Sequence, residues 1–130
     1  MNIRFLTPKQ HGLVDYTAAA GLILLPFILN LGASTPLAFW LSVAAGITVI
    51  GYSLLTSYSY GVAAVVPFKV HLIIDFVAAA AFAAVPFVLG FQGIDAAYYW
   101  TLAAAVFLIV AVSQVSETDR PVDKADGVVA

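Results

Sequence analysis

Residues 9–29 read KQHGLVDYTAAAGLILLPFIL, and residues 69–89 read KVHLIIDFVAAAAFAAVPFVL. Without a gap, Lys9 falls on Lys69, His11 on His71, Asp15 on Asp75, Ala18 to Ala20 on Ala78 to Ala80, and Pro26 and Phe27 on Pro86 and Phe87. The same offset carries Trp40 onto Trp100. Alanine and leucine coincide by chance in any apolar chain. Lysine, histidine, aspartate, proline and tryptophan do not, so the chain reads as two tandem copies of one unit, at about 9–57 and 69–115.

Each copy holds two apolar stretches. A helix needs about 20 residues to cross roughly 30 Å of hydrocarbon, and four windows qualify: 12–31, 37–57, 70–91 and 96–115. The composition demands such a solvent. Of 130 residues, 63% are hydrophobic and 9% charged, against about 25% charged in an ordinary soluble domain. Asn30, Gly32, Ser34 and Pro36 punctuate the first connection, Gly61 and Pro67 the second, and Gly90 to Asp95 the third. These links are short, so neighbouring spans form antiparallel hairpins. The expected fold is all-α: an integral membrane four-helix bundle of two two-helix repeats, related by a pseudo-two-fold along the membrane normal because two-span copies share one orientation. A cleavable leader over 1–34 is disfavoured, because the apolar run exceeds a signal core of about 7–15 residues and belongs to the repeat.

Arg4, Lys9, Lys69, Arg120 and Lys124 all lie in the N-terminal arm, the middle connection or the tail. The positive-inside rule therefore places both termini and the middle connection in the cytoplasm. Trp40, Tyr58, Tyr60, Tyr98, Tyr99 and Trp100 fall near span ends, where amphipathic rings favour the headgroup layer. Residues 116–130 read as a polar cytoplasmic tail. A net charge of −2 without a basic cluster excludes the electrostatic footprint of a nucleic-acid binder. The absence of cysteine excludes disulfides and thiolate metal sites. No phosphate-cradling glycine loop and no nucleophile–base–acid set occurs, so no enzyme class is indicated. The partners expected are membrane lipid and, as protein partner, a second copy or another membrane protein; the small-residue faces 18–21 and 78–81 read as helix-packing surfaces, within the chain or between chains.

The succession HGLVDY, PFILNLG, YSLLTSYSYG, VPFKVHLIIDF and VPFVLGF resembles the small bacterial membrane proteins named for the SPW repeat, over about residues 10–115. In that family each two-helix repeat carries Ser-Pro-Trp near the end of its first helix. Here Leu25-Pro26-Phe27 and Val85-Pro86-Phe87 keep the proline of that triplet. The resemblance implies a four-span protein of a bacterial inner membrane, without an assigned activity.

Ionisable residues inside a span are costly and are the default functional candidates. They are His11, Asp15, His71 and Asp75. The four-residue spacing puts each pair on one helix face, with the aspartate one turn deeper, so two pairs on facing helices would share a site near the cytoplasmic surface. The leading expectation is structural, each histidine donating to an aspartate and so joining the repeats of a non-enzymatic accessory or scaffold protein. The alternatives use the same four residues: a metal site of two imidazoles and two carboxylates, a haem held by His11 and His71, or a relay for protons or a small solute. Pro26 and Pro86 should bend or end their helices. Ser42, Thr48, Ser53, Thr56, Thr101 and Ser113 can bond to the preceding turn or across helices, and Asp95 is expected to cap the fourth helix.

Overall fold

The computed structural model describes residues 3–56 and 60–115. The expected tail, 116–130, and Tyr58 lie outside the described residues. Four helices follow one another: α1 (Pro8–Ile28), α2 (Pro36–Leu54), α3 (Phe68–Leu89) and α4 (Gly93–Val112). Each is long and apolar enough to cross a membrane.

The helices start and stop where local chemistry directs. α1 begins four residues earlier than the apolar run, because Thr7 caps it. The Thr7 hydroxyl accepts from Gln10 N–H while the Gln10 side chain accepts from Thr7 N–H, and Pro8 takes the first position, where no amide donor is needed. α2 starts in a similar way, with Thr35 before Pro36. At the far ends, Pro26 and Pro86 sit within the last turns rather than breaking the helices at once. Their carbonyls close those ends: Leu31 N–H donates to Pro26 O at 3.0 Å and Phe91 N–H to Pro86 O at 2.9 Å. This closure needs a left-handed residue in between. Asn30 (φ 54°) and Gly90 (φ 71°) provide it.

α1 packs along α2, and α3 along α4, as two hairpins. Within the first hairpin the approach is close at Gly46, where a β-carbon would stand 2.7 Å from Ile23 Cγ1 and 2.9 Å from Ala19 O. The hairpins meet mainly at their two ends. At one end lie the buried His11, Asp15, His71 and Asp75, with Phe68 and Leu72. At the other, Leu31, Ala38, Phe91, Ala96, Tyr98 and Tyr99 form an apolar cluster. Between the ends, residues of all four helices surround a cavity of about 330 Å³. Large apolar side chains such as Leu24, Phe27, Ile47, Val77, Phe87, Val88 and Leu108 face outward. The outer surface of the helices is therefore apolar, while the buried interior holds polar side chains as well as apolar ones.

Two expectations are corrected at the second end. Tyr98 and Tyr99 are buried between hairpins rather than spread into a headgroup layer: Tyr99 donates to Ala38 O at 2.8 Å, and Tyr98 bonds Ser42 at 2.6 Å. Asp95 does not cap α4. Gln92 holds the cap position, and Asp95, fully buried, accepts from the backbone N–H groups of Gly32 and Ser34 at 2.9 Å each and from the Ser34 hydroxyl. α4 starts three residues before the position matching the start of α2, at Gly93 with φ 56°. That early start moves Asp95 inside the first turn, where its side chain reaches across to the other hairpin.

Candidate functional site

His11 and His71 stand in the first turns of α1 and α3, Asp15 and Asp75 one turn further in. All four side chains meet. His11 Nε2 lies 2.8 Å from Asp75 Oδ2 and 3.2 Å from Asp15 Oδ1; His71 Nε2 lies 2.8 Å from Asp15 Oδ2 and 3.3 Å from Asp75 Oδ2. Both shorter contacts run between α1 and α3, and both longer ones stay within a helix. The alternation His11, Asp75, His71, Asp15 closes into a ring. The imidazoles are wholly buried, while Asp15 and Asp75 keep 7% and 6% exposure. The rings of His11 and His71 cross edge to face, 5.3 Å between centres, and Phe68 and Tyr52 pack against them.

The opposite nitrogens fix the orientation of the imidazoles. His11 Nδ1 is 2.7 Å from Ser113 Oγ, at the end of α4, and His71 Nδ1 is 2.7 Å from Thr56 Oγ1, just past α2. Each hydroxyl has one proton, and each donates it to a helix carbonyl: Ser113 to Ile109 O, Thr56 to Tyr52 O, both at 2.6 Å. The hydroxyls are thus acceptors toward the rings, so Nδ1 carries a proton in both histidines. Nε2 is left to face two carboxylates. Either it is protonated too, making two imidazolium–carboxylate pairs of zero total charge, or its lone pair is open to a cation.

α2 contributes one more group, Tyr52, whose hydroxyl donates to Asp75 Oδ1 at 2.5 Å. Position 112, sixty after Tyr52, is Val112. Ser53, sixty before Ser113, is buried, yet its hydroxyl has no hydrogen-bond partner among the described residues. Thr56, one turn later, takes the place that Ser113 holds in the other hairpin. Around the ring, Arg4 donates to the carbonyls of Val110 (3.1 Å) and Ser113 (2.6 Å) at the end of α4, where a cation meets the negative end of the helix dipole.

The four residues expected to share a site do so, and Ser113 and Thr56, expected to bond locally or across helices, do both. Tyr52 was not foreseen. A tyrosine near the end of an apolar span reads as an interface residue, and only its position one helix over from Asp75 shows otherwise. The chain matches no protein-family model, no curated protein and no solved structure.

Proposed function

We propose that this chain is a small four-span protein of a bacterial inner membrane, of the SPW-repeat kind, and that its role is that of an accessory or scaffold element. In this reading its hairpins are tandem copies about a pseudo-two-fold along the membrane normal, with the termini and the middle connection cytoplasmic, lipid against the outward apolar side chains, and a second copy or another membrane protein as partner. The observation that carries it is the reciprocal pairing of His11 with Asp75 and His71 with Asp15 across the hairpins. An unpaired charge buried in apolar surroundings costs several kcal/mol, whereas a closed neutral ring satisfies every member. The ring is therefore a clasp. Replacing His71 by Ala should lower the melting temperature in detergent markedly and leave Asp15 and Asp75 repelling each other. An unchanged melting curve would remove the clasp from consideration.

A second reading has its own support. The four ligand atoms lie within 4.8 Å of one another, and a modest contraction would bring them to the roughly 3.3–3.6 Å that separates tetrahedral ligands held at about 2.0–2.2 Å from a metal. Both Nδ1–H groups are held by hydroxyls, the outer-shell arrangement that points Nε2 at a metal. One divalent ion would replace the two Nε2 protons with no change of total charge. Zinc, iron or manganese suits such a nitrogen and oxygen set. A haem does not fit between the imidazoles, because Asp75 Oδ2, at 2.8 and 3.3 Å from the two Nε2 atoms, occupies the space a porphyrin needs. Elemental analysis of the purified protein separates the readings: a stoichiometric transition metal, with melting lowered by a chelator, would replace the proton clasp with a metal clasp. A relay for protons or solute finds less support, since apolar walls follow directly on the ring.

A further inference from the structure

The cavity between the hairpins is the feature that neither clasp explains. Its volume of about 330 Å³ falls in the range of small-molecule sites, roughly 300–1,000 Å³. Ala18, Ala45, Ala78, Ala81 and Ala105 keep the four helices lean around it, and Leu22, Phe82, Val106 and Ile109 complete walls of almost wholly apolar atoms. Such a space is hostile to water, which needs two to four polar partners, and an apolar cavity of only about 150 Å³ already accepts a benzene ring. One side differs from the rest: Asp15, Asp75 and the Tyr52 hydroxyl form a polar floor. The residual exposure of the two carboxylates fits an outlook onto this space, because both line it.

The floor specifies the guest. Thr48 and Tyr52 already donate, to Ala44 O and to Asp75 Oδ1, so what remains offered to the cavity is carboxylate oxygen, an acceptor. The two carboxylates together present about eight acceptor positions, more than the two imidazoles and the Tyr52 hydroxyl use. The ring is neutral as a whole, which favours a neutral donor over a cation. A phenol is the strongest common donor of that kind, and this floor already accepts one: the side chain of Tyr52 makes that contact with Asp75. At the position sixty residues on, the chain has Val112 in place of a second phenol.

We propose that the cavity between the hairpins binds a neutral, membrane-soluble phenol or quinol, its ring among the alanine-lined walls and its hydroxyl donating to the carboxylates of Asp15 and Asp75. This rests on the ring geometry but on neither the scaffold nor the metal reading, since a proton or a metal at Nε2 leaves carboxylate oxygens facing the cavity.

The test titrates the full-length protein, in detergent, with 4-butylphenol and with butylbenzene, which has the same tail and no hydroxyl. The expected result is saturable one-to-one binding of 4-butylphenol, at least tenfold tighter than butylbenzene. Ala105→Leu, or Ala45→Leu should the first variant not fold, fills the cavity and should weaken 4-butylphenol at least tenfold while the melting curve without ligand stays cooperative. Equal binding of the two probes would overturn recognition by the floor. Undiminished binding in a folded, cavity-filled variant would place the guest elsewhere. A co-purifying phospholipid, seen by native mass spectrometry and not displaced by 4-butylphenol, would make an acyl chain the resident and overturn the proposal too. None of these outcomes depends on the His71→Ala melting experiment, so either idea can fail alone.

Discussion

Two serines sixty residues apart, Ser53 and Ser113, differ in what their hydroxyls meet, and that difference sets their worth. Ser113 accepts the Nδ1–H of His11 while donating to Ile109 O. Ser113→Ala would leave a buried ring donor without an acceptor, a loss of about 1–3 kcal/mol. Ser53, its counterpart sixty residues earlier, has a buried hydroxyl with no partner among the described residues. Ser53→Ala should therefore change stability by no more than about 0.5 kcal/mol or raise it slightly. Unfolding midpoints in detergent compare the two directly, and equal losses would contradict the assignment of roles. Asp95 is a harsher case. It gathers three donors from Gly32 and Ser34, so Asp95→Ala strips two backbone N–H groups of their acceptor and should cost about 2–4 kcal/mol, whereas a mere helix cap would cost about 1 kcal/mol. These residues also show how far the sequence could be read. His11, Asp15, His71 and Asp75 were legible because ionisable groups in an apolar run have few reasons to be there. Asp95 was misread because it stands just before the apolar stretch that begins at Ala96, and nothing in the chain announces that α4 starts early at Gly93. Tyr52 could not be placed at all without the neighbouring helix.

Between helices, small residues decide how near two backbones come. Ala19 and Ala79 are buried at 1% and 0%, as the alanine runs led one to expect, but a close approach also involves Gly46, which no composition argument distinguishes from other glycines. A β-carbon there would meet Ile23, Ala19 O and Leu22 at 2.7 to 3.0 Å. The carbonyl belongs to the backbone of α1 and cannot step aside without moving the helix. Gly46→Ala should thus lower stability by about 1–3 kcal/mol, the usual range for overpacking, whereas Gly51→Ala, with open space around its added carbon, should be neutral or gain up to about 1 kcal/mol from helix propensity. If both substitutions stabilise equally, the hairpin is looser than described. The element bounds were read to within a few residues, since hydropathy sees only the apolar stretch; the first turn of α1, which holds His11, is helix by virtue of the Thr7 cap and Pro8 instead.

At the scale of the whole molecule the exterior is the apolar side, and the polar ends of the hairpins are unequal. One end carries the His and Asp ring, Arg4 and Lys69; the other is tied by neutral tyrosine and serine contacts and the carboxylate of Asp95. That inequality, together with the charge bias of the connections, predicts an orientation: residues flanking the ring should face the cytoplasm, and the α1–α2 connection the opposite side. The chain has no cysteine, so single cysteines report topology without background. In intact bacteria, a maleimide that cannot cross membranes should label Ala33→Cys, exposed between α1 and α2, and spare Ala64→Cys, exposed between α2 and α3, until the cells are permeabilised. Reversed labelling would turn the bundle over and put the His and Asp ring at the outer face. Labelling of both sites in intact cells would mean that a hairpin fails to cross, and the ring, which needs both hairpins inserted in the same sense, would then be unable to close.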